Sequence, residues 1–164
     1  MNRNVEQLES RREDSKKYQW GEKMSFENPD LKTIASYLNE AKTIAIVGLS
    51  KNPERTSYRI AQILQEHGYR IIPVNPVVEG EILGEKVYDR LQDIPEPIDI
   101  VDIFRRGEFL PEIAHDFLET DAKVFWAQLG IENDEAAEIL RAAGRNDIVM
   151  NRCIKIELGK INQA

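Results

Sequence analysis

The residues between Gly48 and Arg55 carry the clearest chemistry of the chain. Ser50, Lys51, Asn52 and Arg55 bring a hydroxyl, an ammonium, an amide and a guanidinium onto one short segment behind a glycine. Groups of this kind hold anions, phosphate above all, through charge-assisted hydrogen bonds. The flanking residues add a second source of positive potential. Thr43–Val47 is a run of β-branched and small apolar residues that reads as a strand buried on both faces. From Tyr58 the period becomes helical, with Ile60, Ala61, Ile63 and Leu64 on one side and Gly68 as the stop. A strand, a glycine turn and a helix start aim unpaired backbone N–H groups and the helix dipole at one spot. The loop reads as a phosphate cradle for a nucleotide-containing cofactor.

The rest of the chain supplies what must position that loop. Residues 1–27 mix charges of both signs with few apolar residues and read as an N-terminal arm rather than a surface helix. Residues 28–164 read as one domain. Asn28 and Pro29 are expected to open a helix whose stripe is Leu31, Ile34, Ala35 and Leu38. Further strands are expected at 69–76, 98–104, 123–127 and 147–150, with a minor one at 85–88. Between them Leu110, Ile113, Ala114, Phe117 and Leu118 mark one helix, and Ala136, Ala137, Ile139 and Leu140 mark another, capped by Asn133. A last apolar-periodic segment runs from Ile154 to Leu158. Strands alternating with helices require an α/β fold, here a single Rossmann-like doubly wound domain with a mostly parallel sheet flanked by helices.

Bulk properties exclude several classes. A net charge of −7 argues against a nucleic-acid or membrane-surface binder, while leaving room for a local basic pocket built from Lys51, Arg55, Arg59, Arg105 and Arg106. Cys153 is the only cysteine, so an intrachain disulfide is excluded. No apolar run approaches membrane-spanning length and the N-terminus lacks a signal-like apolar stretch, so a cytoplasmic location is expected.

In an open α/β sheet the ligand lies at the carboxyl ends of the strands. A dinucleotide fingerprint would need two more glycines where Ser50 and Pro53 stand, and an acid where Asn75 ends the second strand. A phosphate-binding loop of the G-K-[ST] type is also absent. Five blocks in order, namely 48–58, Pro73-Val-Asn-Pro76, Val101-Asp-Ile-Phe104, Trp126-x-Gln-x-Gly130 and Asn151-Arg-Cys153, together resemble the stand-alone CoA-binding domain family. That family is related to the N-terminal domain of the succinyl-CoA synthetase α subunit, and the resemblance spans about residues 28–160.

The resemblance implies coenzyme A, or an acyl-CoA, as the ligand. Carried over, Gly48, Ser50, Lys51, Asn52, Arg55 and Ser57 would line the phosphate site. Val74, Asn75 and Pro76 would border the nucleotide, Phe104 and Arg105 would touch the ligand from the neighbouring strand, and Gln128 and Gly130 would lie beyond. The synthetase's phosphorylated histidine belongs to a later domain, so a binding module without catalysis is expected. Its rivals are an NAD(P)-dependent or CoA-transferring enzyme and a CoA-sensing regulator working through the arm. Trp126 reads as core, His67 and His115 as helix-surface residues, and Cys153 as a small buried hydrophobe, with a mixed disulfide to CoA as the sharper alternative.

Overall fold

The computed structural model describes residues 25–162; all but the last three residues of the expected N-terminal arm lie outside that range. The chain opens with helix α1 (Leu31–Glu40), strand β1 (Thr43–Val47), helix α2 (Thr56–Glu66) and strand β2 (Arg70–Val74). A small hairpin of β3 (Glu81–Ile82) and β4 (Glu85–Lys86) precedes β5 (Ile100–Ile103). Helix α3 (Leu110–Leu118), β6 (Val124–Ala127), α4 (Asp134–Ala142), β7 (Ile148–Val149) and α5 (Ile154–Asn162) complete it.

The five main strands form one parallel sheet in the order β2-β1-β5-β6-β7. The chain moves outward from β1 to β2, then returns to the other side of β1 for β5, so the strand order reverses between β1 and β5. Both faces of the sheet are covered, which is why its strands are apolar without alternation. Ala45, Val47, Val101, Ile103 and Phe125 pack against α3 and α4, where the rings of Phe117 and Phe125 meet edge to face with centroids 5.4 Å apart. Ile44, Ile46, Ile71, Ile100 and Trp126 pack on the other face against α1, α2 and α5. This is the doubly wound α/β arrangement that the alternation of elements predicts.

Residue pairing makes the strands end level: Val47 lies opposite both Val74 and Ile103, and Ile103 lies opposite Ala127. The residues that follow, Gly48, Asn75, Phe104 and Gln128, therefore share one rim.

The start of α1 differs from expectation. Asp30 is the cap, its carboxylate accepting from the Thr33 N–H at 2.9 Å. Asn28 lies two residues earlier and serves the sheet. Its amide donates to the Met150 carbonyl and accepts from the Met150 N–H, both at 2.8 Å. An asparagine amide offers one donor and one acceptor as a peptide unit does, so it closes the edge beyond the two-residue strand β7. Asn28→Ala would leave both Met150 groups unpaired and is expected to cost about 1–3 kcal/mol, read as a lowered urea midpoint with an unchanged slope.

Candidate functional site

Gly48 ends β1 with φ +87 and donates its N–H to the Val74 carbonyl at 2.9 Å. A β-carbon there would stand 2.6 Å from the Phe104 carbonyl oxygen. The position admits only glycine, because the left-handed backbone and the close approach of the chain leaving β5 both exclude a side chain. The turn thus sits at the reversal of strand order, where open α/β sheets take their ligands.

Beyond Gly48, Leu49 is buried and anchors the loop in the core. The loop then bonds to itself. Ser57 Oγ accepts from the Ser50 N–H at 3.0 Å, Ser50 Oγ from the Asn52 N–H at 3.0 Å, and Asn52 Oδ1 from the Glu54 N–H at 2.9 Å. Neutral side chains thereby hold the backbone in one shape, as short polar residues do in turns. Helix α2 starts immediately after, at Thr56, with no side-chain cap and no acidic residue in its first turn. The positive end of its dipole is left open toward the loop.

These pieces enclose a cavity of about 430 Å³ at the rim. Of the residues singled out in the sequence, Gly48, Ser50, Arg55, Ser57, Phe104, Arg105 and Gly130 line it. Arg106, expected only as a member of a basic pocket, lines it too, and Thr56, Gly107 and Ile131, which the sequence pattern does not nominate, complete the wall. Arg105 is half-buried, its guanidinium 4.2 Å from the centroid of the Phe109 ring. Arg106 is largely exposed and pairs loosely with Glu108 at 3.6 Å, its guanidinium 5.5 Å from the same ring. The far wall is fixed by Asn151, whose Oδ1 accepts from the Gly130 N–H at 2.7 Å, and by Asn133, whose amide donates to the Gly107 carbonyl at 3.1 Å. Gly107 itself leaves no room for a side chain, since a β-carbon would meet the Glu132 carbonyl oxygen at 2.7 Å.

The remaining expected residues fall elsewhere. Lys51 and Asn52 are exposed on the outer side of the loop, and Pro76 is exposed beyond β2. Val74 is buried and offers only backbone. Asn75 locks the end of β2 to the loop, donating to the Leu49 carbonyl at 3.0 Å and accepting from the Val77 N–H at 3.0 Å.

Gln128 departs from the expectation of a ligand contact. Its side chain is buried and faces inward, donating to Asp102 Oδ1 at 2.5 Å and accepting from the Ile154 N–H at 3.4 Å. Residues two apart on a strand share a face, and Gln128 follows Trp126, which is wholly buried with its indole N–H on the Arg152 carbonyl. His67 and His115 are exposed, and Cys153 is half-buried at the head of α5.

Asp102 is the functional-looking group that the sequence reading passed over. It lies in the middle of β5, fully buried, and its Oδ2 has no hydrogen-bond partner. Burial pushes its carboxyl up to about 7, and the Gln128 hydrogen bond opposes that rise only in part. No group of three or more His, Cys, Asp or Glu suited to a metal ion occurs among the described residues. A larger hollow of about 530 Å³ opens where the C-terminal part of α2 meets α5, lined by Ile63, His67 and Ile156. It lies away from the strand ends and at the negative end of the α2 dipole, and it carries two lysines, Lys155 and Lys160, against the three arginines and open helix start of the rim cavity.

The sequence model of the CoA binding domain matches residues 42–159. The Bacillus subtilis protein YneT is 49% identical over 130 residues, covering 79% of this chain and 95% of its own. A solved Pyrococcus horikoshii structure is 34% identical with a TM-score of 0.76, covering 84% of this chain and 98% of its own. The α subunit of an ADP-forming acetate–CoA ligase from Pyrococcus furiosus is 33% identical over 90 residues, which span 51% of this chain but only 19% of the ligase subunit.

Gly48→Ala must open the contact with Phe104 and is expected to destabilise by about 2 kcal/mol or more in a denaturant titration. Asp102 binds its proton more tightly folded than unfolded, so its neutral form stabilises the fold at low pH and that contribution fades as pH rises from about 4 to about 7. Asp102→Asn carries no such loss. Its stability relative to the parent protein should therefore grow between pH 4.5 and 7 and level off above, by a few kcal/mol at most.

Proposed function

This chain belongs to the CoA binding domain family, and on that premise we propose that it holds coenzyme A, free or acylated, in the rim cavity and performs no catalytic step of its own. One observation carries the reading. The Gly48 turn, the uncapped start of α2, and Arg55, Arg105 and Arg106 all converge on one cavity. CoA brings a pyrophosphate and a ribose 3′-phosphate, and a helix N-terminus with several guanidiniums can bind both. Ser50 and Asn52 hold the loop in shape, and Lys51 adds an exposed charge at its edge.

The rival enzyme readings have less support. A nicotinamide dinucleotide wants an acid at the end of β2, and Asn75 stands there with its amide engaged by Leu49 and Val77. The lining of the cavity provides cations and hydroxyls but no carboxylate, imidazole or thiol, a set suited to holding a ligand rather than moving protons on it. Ligase activity belongs to a subunit of which the matched stretch is about a fifth.

Thermal melts with CoA, NAD and NADP side by side test the proposal. CoA at about 100 times its Kd should stabilise the protein by roughly 2.7 kcal/mol, a rise of several degrees, and the dinucleotides should not. Arg55→Ala and Arg105→Ala should each weaken CoA by about tenfold in calorimetry, the scale of one charge-assisted contact. No shift and no heat of binding at saturating CoA would remove the proposal.

A further inference from the structure

Behind the cavity wall lies a polar chain that phosphate binding does not use. Asp102 Oδ1 accepts from Gln128 Nε2, and Gln128 Oε1 accepts from the Ile154 N–H at the start of α5. Gln128 leads through Leu129 into Gly130, which lines the cavity and donates to Asn151. Asn151 stands three residues before α5, with φ +58, and donates its own N–H to the Ile131 carbonyl. The acid is thus tied, through one side chain, to the Gln128–Gly130 segment that lines the far wall and to the start of α5, which follows the Asn151 that braces it.

Buried polar groups are almost always paired, so an unpartnered carboxylate oxygen inside a sheet calls for an explanation. Asp102 is flanked in the sheet by Ile46 and Trp126, neither of which can stabilise a charge. The ionisable side chains packed against this face are Tyr37 of α1, Tyr58 of α2, Tyr69 between α2 and β2, and Cys153 and Glu157 at α5. Tyr37 bonds to Asp147, Tyr69 to the Leu38 carbonyl and Glu157 to Lys160, and none of the five bonds to Asp102. The neutral acid fits this dry site. Its ionised form has a single donor, and loss of its proton to water leaves a buried charge that is relieved only by shifting Gln128 or admitting water beside Oδ2.

We infer that Asp102 is a positioning residue, which through Gln128 sets the Gln128–Gly130 wall and the start of α5, so that its proton occupancy controls how tightly the cavity holds its ligand. The inference rests on the CoA reading for the ligand, but the relay exists without it. Neutral Asp102 keeps the wall seated, and ionisation loosens it. Affinity for the anionic ligand therefore falls as pH rises through neutrality, where burial has moved this group.

Nitrogen-15 NMR of the ligand-free protein, together with calorimetry using free coenzyme A, from pH 6 to 8.5, tests both layers. The Gly130 and Ile154 amide signals should follow one common titration that is absent in Asp102→Asn. CoA should bind the parent protein roughly three- to tenfold more weakly at pH 8.5 than at pH 6, beyond any change in Asp102→Asn, in which the ligand's own phosphate titration is unchanged. Amides that do not titrate, or identical pH profiles of CoA affinity in the two proteins, would overturn the inference. Titrating amides with no CoA binding at any pH would instead leave the relay standing and remove the CoA reading.

Discussion

The backbone contact between Gly48 and Phe104 is the constraint on which the rest of the site depends. Gly48 is hydrogen-bonded to the end of β2 and leaves no space for a β-carbon against the chain leaving β5. One residue thus ties three strand ends together where the strand order reverses. The loop that follows can begin at the rim only because its first side chain is absent. Arg105, next to Phe104, is delivered to the opposite wall by the same contact. Doubly wound sheets leave a crevice at such a point by topology, and the glycine determines how closely its two walls approach.

Within that frame the side chains divide their labour. Ser50, Asn52, Ser57, Asn75 and Asn151 direct their polar atoms to backbone groups of the loop and its neighbours. The guanidiniums of Arg55 and Arg105 are left for the opening, Arg106 lies beside them in a loose pair with Glu108, and Arg105 and Arg106 both lie against the Phe109 ring. A frame already ordered before a ligand arrives reduces the entropy that binding must overcome. A stacked guanidinium likewise gives up less freedom than a free one on meeting a phosphate.

Most of the architecture was legible from periodicity and punctuation. Gly68 does follow a helix end with φ positive, and Asn133 does cap α4 through the Ala136 N–H. The loop after β1 was legible because strand, glycine and helix start are adjacent in sequence. What escaped was long-range or depended on strand parity. The pairing of Asn28 with Met150 joins residues 122 positions apart and leaves no local trace. Gln128 follows a strand, which alone suggests a rim residue, and only the assembled fold turns its side chain inward onto Asp102 and the start of α5. Asp102 was absorbed into an apolar strand. In a sheet covered on both faces no strand position points to water, so an acid there had to be buried. Gly107 and Ile131 joined the cavity through the returns from β5 and β6, which sequence order does not bring together.

The site gathers two electrostatic opposites within one wall: guanidiniums around the opening and a buried acid behind it. The protein as a whole carries −7, so attraction of an anion is local to the cavity rather than a property of the molecule. Against that background Asp102 is costly. An apolar residue at its place in β5 would need no hydrogen bond and would match Ile46 and Trp126 on either side. Its one partner, Gln128, would then itself lose a buried acceptor, so the pair is retained or lost together. A polar pair placed where packing alone would favour leucine is a local inconsistency of the kind that folds carry at working sites. Here it stands directly behind the segment that closes the cavity, where a small change in seating is felt by whatever the cavity holds.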